Sequence, residues 1–146
     1  MVTFAARRAA VLTLSVAALL WSAACSNNSS STTTTAPSTN PTTEMFTGTV
    51  PVGGSDSHSF TISLSNGQVN VILTQAGPPA TIYEGLGIGT PSGSTCSILT
   101  GGAVATPAGA TAQLSGTAAA GSYCVVVYDV GNQTSDITYS VTVTHY

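Results

Sequence analysis

The sequence reads as all-β: an antiparallel, jelly-roll-like β-sandwich of about seven to nine short strands, preceded by a helical signal segment and a disordered tether. Three observations carry that reading. Apolar residues recur with period two from Phe46 onward, as expected of half-buried antiparallel strands. Turn sequences such as "VGGSD", "SNGQ", "AGPP", "TPSGS" and "VGNQTSD" separate these runs at short intervals. No stretch of the globular part sustains a 3.6-residue apolar period, and no internal repeat is visible.

Residues 1–24 have the three parts of a secretory leader. Arg7 and Arg8 form a basic start, "AAVLTLSVAALLW" an apolar run, and "SAA" a small-residue cleavage site. The apolar run is shorter than the ~20 residues a bilayer-spanning helix needs, and small polar residues follow at once. Cys25 stands at the junction. "SAAC", residues 22–25, resembles the lipobox of bacterial lipoproteins; Ala23, Ala24 and Cys25 fit, and Ser22 stands where an aliphatic residue is usual. The resemblance implies cleavage before Cys25, acylation of its thiol and, with Ser26 rather than Asp following, residence at the outer membrane. An ordinary cleavage after Ala24 is the alternative, with a periplasmic or secreted product. Several acyl chains, each contributing about 0.8 kcal/mol per buried CH₂, hold a protein at a bilayer without a helix.

Residues 25–43 form the tether. After Cys25, "SNNSSSTTTTAPSTNPTT" contains one Ala and no larger apolar side chain, so it buries too little to offset its ordering entropy. The domain then runs from 44 to 146. Its strands are read in order from Phe46, Gly48, Val50 and Val52; from His58, Phe60, Ile62 and Leu64; and from Val69, Val71 and Leu73. "GATAQLSGTAAAG", bracketed by glycines, reads as a strand plus a loop. "YCVVVYDV" is apolar on both faces apart from Asp129, which marks a central strand. Ile137, Tyr139, Val141 and Val143 alternate with Thr and Ser in the last segment, the Thr face being the wet one.

Composition excludes several functions. Arg7 and Arg8 are the only basic residues. Without the leader, the chain keeps Glu44, Asp56, Glu84, Asp129 and Asp136, a formal charge of −5, with two histidines. Nucleic-acid binding is thereby disfavoured, since phosphate neutralisation needs Lys or Arg. Stability must come from packing, backbone hydrogen bonds and a covalent link. Cys96 and Cys124, 28 positions apart in an exported domain, most simply form a disulfide, worth roughly 3–4 kcal/mol on the chain-entropy model. A zinc site would need more ligands than two isolated cysteines.

The pattern from "FTGTV" through "GSDSHSFTISL", "GQVNVILT" and "ATIYEG" to "AAGSYCVVVYDVGNQTSDITYSVTV" resembles the bacterial pre-peptidase C-terminal domain. The marks are Gly48 and Val50, Asp56 and Phe60, Gly121, Tyr123 and Val125, and Tyr139, Val141 and Val143. The resemblance implies a sandwich that serves as an accessory module on secreted peptidases, aiding export or surface binding, with calcium bound in some relatives. This chain has His58 where the family often has a second acidic residue, and no peptidase accompanies it.

Candidate sites are few. Asp129, Asn132 and Asp136 in "DVGNQTSD" are oxygen donors suited to Ca²⁺, the one candidate cofactor, but without D-x-D-x-D spacing; a turn stabilised by Asn and Asp is the plainer reading. Tyr83 and Tyr128 are candidate surface rings for a glycan or protein partner, whereas Tyr123 and Tyr139 share faces with valines. His58 beside Asp56 invites a hydrolase triad, but no G-x-S-x-G is present, and His145, next to last, is expected to be exposed. The expectation is a non-enzymatic, lipid-anchored module of the bacterial cell envelope, structural or binding. A glycan- or protein-binding surface lipoprotein is the second reading and a cryptic hydrolase the third.

Overall fold

The computed structural model describes residues 40–146. The leader, Cys25 and the tether through residue 39 lie outside them. The described residues form eight strands and no helix: β1 (Thr42–Val50), β2 (Ser55–Ile62), β3 (Gly67–Gly77), β4 (Glu84–Ser92), β5 (Thr95–Thr106), β6 (Leu114–Ala118), β7 (Gly121–Asp129) and β8 (Ile137–His145). They make two four-stranded sheets, β1-β8-β3-β6 and β2-β7-β4-β5, with every neighbouring pair antiparallel. Except for the β4–β5 hairpin, every connection crosses from one sheet to the other. Pairing of β1 with β8, β2 with β7, β3 with β6 and β4 with β5 is the jelly-roll arrangement.

Period-two alternation builds the core. From β8, Ile137, Tyr139, Val141 and Val143 are buried, while Thr138 faces solvent and Thr142 and Thr144 are half-buried. Leu73, Val71 and Val50 from one sheet meet Ile62, Leu86, Val125 and Val127 from the other. Fully burying an aliphatic side chain of this size contributes about 1.5–3 kcal/mol, so a core of this composition needs no ion pairs. A β-bulge between Leu73 and Gln75 shifts the phase of β3, which lets Leu73 and Ala76 both point inward. The "YCVVVYDV" segment is β7, between β2 and β4, with Cys124 to Val127 all buried.

One boundary differs from the sequence reading. β1 begins at Thr42, inside the segment assigned to the tether, because Thr42 and Thr43 pair with His145 and Thr144. Both are β-branched and suit a strand. "TGG" at 100–102, a turn-like sequence, is part of a wide bulge in β5: Gly87 opposes Ala103 and Gly89 opposes Ile98. The β1–β8 register places Thr42 against His145 at one end and Val50 against Ile137 at the other.

Candidate functional site

The β1–β2 turn, the segment before β4 and the β7–β8 loop meet at the end of the sandwich where β7 finishes. Asp129, the last residue of β7, organises them. Its Oδ1 accepts from the backbone N–H of Gly131, Asn132 and Gln133 at 2.7, 3.1 and 3.3 Å, and its Oδ2 accepts from Gly53 N–H at 2.8 Å. The Gly53 bond, with those from Gly131, Asn132 and Gln133, holds the Asp129 carboxyl below the usual carboxylate range against a smaller opposing effect of desolvation. Asn132 Nδ2 donates to the Tyr83 carbonyl at 2.9 Å, and Asp136 Oδ1 accepts from Val52 N–H at 3.2 Å. The three side chains proposed as calcium donors are thus each engaged with backbone. Among the described residues no three His, Cys, Asp or Glu side chains gather in a way that could hold a metal.

The same end presents three exposed apolar side chains, Val52, Tyr83 and Val130. Tyr83 is 52% exposed and its backbone is pinned by Asn132. Tyr128 is half-buried and lies opposite Gly85. A Cβ on Gly85 would run into the Tyr128 ring, so the ring covers the glycine. Gly85, Gly87 and Gly89 form an outward stripe on β4, faced across the register by Tyr128, Val126 and Cys124. Cys124 is bonded to Cys96, with Cα atoms 5.8 Å apart, tying β7 to β5 across the sheet that β4 separates.

Beneath the loops lies a pair that the sequence reading missed. Glu84, the first residue of β4, is fully buried, and Gln133 is buried above it. Gln133 Nε2 donates to Glu84 Oε2 at 2.9 Å. Burial pushes the Glu84 carboxyl up from its ordinary value; the Gln133 bond works against this and nearby Asp129 adds to it. Parity offered a signal for Glu84, which alternates in phase with Leu86, but a glutamine in an irregular loop carries none.

Two further polar groups occupy the seam between β1, β2 and β8. Tyr139 Oη donates to Asp56 Oδ2 at 2.9 Å and lies 3.0 Å from His58 Nε2. The single phenol proton goes to Asp56, so Nε2 must carry the proton of the His58 bond. Burial, then the Asp56 carboxylate, pushes the Tyr139 phenol above its ordinary value. Gly48 leaves the space for this contact: a Cβ there would overlap Asp56 Oδ2. His58 stacks on Phe46 with ring centroids 4.9 Å apart. Asp56 and His58 are therefore neighbours, 3.7 Å apart, but a phenol stands between them. Ser57 and Ser59 fall on the opposite face of β2 by strand parity. His145, expected to be exposed, is 4% exposed. It continues the inward phase of β8, bonds Glu44 Oε1 at 2.8 Å and lies 5.2 Å from the Phe60 ring.

No protein-family model matches the chain, and no curated protein matches it in sequence.

Proposed function

We propose that this chain is an exported, lipid-anchored module of the bacterial cell envelope whose β-sandwich has a structural or binding role rather than a catalytic one. The observation that carries the proposal is the Cys96–Cys124 disulfide. Disulfides persist in oxidising compartments; a leader over residues 1–24 supplies the export route, and Cys25 after it a thiol for the anchor. The resemblance to the pre-peptidase C-terminal domain points the same way, toward an accessory module. Intact mass of the full chain, purified from its native membrane with and without reductant, tests the reading. A chain beginning at an acylated Cys25, gaining two hydrogens on reduction, is the expected result. An unprocessed chain recovered from cytosol with all thiols reduced overturns it.

A binding role is favoured by one arrangement. Val52, Tyr83 and Val130 stand exposed on loops that Asp129, Asn132 and Asp136 hold by hydrogen bonds. An aromatic ring on a braced loop suits a glycan or protein partner. Retention on immobilised envelope glycans, lost with Tyr83→Ala while the unfolding midpoint stays unchanged, would support this reading. Equal retention of both proteins would remove it.

A further inference from the structure

Glu84 and Gln133 make one hydrogen bond and leave two oxygens over. Glu84 Oε1 and Gln133 Oε1 are both buried, and neither has a partner. Two acceptors cannot satisfy each other, and buried polar atoms are rarely left unpaired. One proton resolves both. We propose that Glu84 is a neutral acid in the folded protein, its Oε1–H donating to Gln133 Oε1, so that acid and amide close a ring of two hydrogen bonds that latches the start of β4 to the β7–β8 loop.

The surroundings favour the neutral form. From β7, Asp129 is the register partner of Glu84 and carries negative charge. From β5, the register partner is Thr106, which does not titrate and donates its hydroxyl to the Pro107 carbonyl. In the β7–β8 loop, Asp136 is a second carboxylate and accepts from Val52 N–H. Residues 40–146 contain no Lys or Arg to offer Glu84 a counter-ion. The two histidines belong to other pairs, His58 with Tyr139 and His145 with Glu44. The upward displacement of the Glu84 carboxyl by burial agrees with the geometry.

The latch makes the loop end sensitive to pH. The unfolded chain releases the Glu84 proton near the ordinary value of 4.5, whereas the folded chain keeps it to higher pH. Stability from the latch is complete below 4.5 and is lost as pH rises toward the folded value, by up to about tenfold in the folding constant per pH unit. Ionised Glu84 would face the Gln133 carbonyl and Asp129, and the loop that pins Tyr83 through Asn132 would loosen first.

Glu84→Gln separates this from the alternatives, because its amide makes the same two hydrogen bonds with no proton to lose. Denaturant unfolding of the full chain across mildly acid to neutral pH should show the parent losing stability as pH rises. Glu84→Gln should lack that component and equal or exceed the parent at neutral pH. Carboxyl carbon-13 NMR of the parent gives a readout independent of the variant's folding: Glu84 should remain protonated above its ordinary value of 4.5. The proposal fails if Glu84 titrates at or below its ordinary value of 4.5, or if Glu84→Gln is the weaker protein at neutral pH. It also fails if calcium chloride alone abolishes the pH dependence, which would assign the two oxygens to a cation.

Discussion

With no Lys or Arg among residues 40–146, each acidic side chain of the domain finds its hydrogen bonds among backbone N–H groups, an amide, a phenol and an imidazole. Asp129 is the fullest case, accepting from four backbone N–H groups. Asp129→Ala should expose the amides of Gly53, Gly131, Asn132 and Gln133, read as a selective loss of hydrogen-exchange protection with the core strands unchanged. Because the folded carboxyl titrates lower than the unfolded one, its contribution is complete above the ordinary value of 3.8 and is withdrawn as pH falls through the folded value. Glu84 has the opposite sign, so the two together put the stability maximum in mildly acid solution. At Gly85 the relevant quantity is space. Gly85→Ala should cost about 1–3 kcal/mol by driving a methyl into the Tyr128 ring. The same change in a Tyr128→Ala background should cost much less, a coupling that urea unfolding of the four proteins measures.

The strands differ in how plainly the sequence announced them, for physical reasons. β7, inside its sheet, is apolar on both faces, whereas β1, β2, β3 and β8 alternate apolar with polar residues because one face meets the core and the other meets water. β4 does not, because its outward positions are Gly85, Gly87 and Gly89, which lie under neighbouring side chains rather than in solvent. Its first inward position is a carboxyl. β5 is exposed along most of its length and interrupted by its bulge, so neither face carries a pattern. His145 was legible by parity with Val143 and was misjudged from its place near the end of the sequence. The disulfide was legible from compartment and count, whereas its route beside β4 needed the register. Cys96→Ala with Cys124→Ala should lower stability by roughly 3–4 kcal/mol, and reductant should lower the parent equally in denaturant titrations.

At the level of the whole molecule, the topology joins distant parts of the chain. Strand β8 lies between β1 and β3, so the β1-β8-β3-β6 sheet cannot close until strand β8 arrives. Truncation before Ile137 should leave no cooperative unfolding transition, by circular dichroism or by exchange. Pairing of this kind also predicts folding in the millisecond-to-second range, as for other sandwiches dominated by non-local contacts. The charge distribution predicts the response to salt. With Glu84 neutral, the four remaining side-chain carboxylates, without Lys or Arg, repel one another weakly, and screening acts within about 10 Å at 0.1 M salt. Raising sodium chloride from low concentration should therefore maintain or slightly raise the unfolding midpoint, where a domain held by surface ion pairs would lose stability.

The pairing of Thr42 with His145 gives the domain a polarity. Chain enters beside the place where it leaves, and Val52 and Val130 stand beyond the far ends of β1 and β7, a strand of nine residues at about 3.3 Å each, or roughly 30 Å away. Thr42 and His145 thus mark one end of the sandwich, and Val52, Tyr83 and Val130 crown the other. A fluorescent protein joined after Tyr146 would sit at the Thr42 end and leave the opposite crown open to antibodies or ligands.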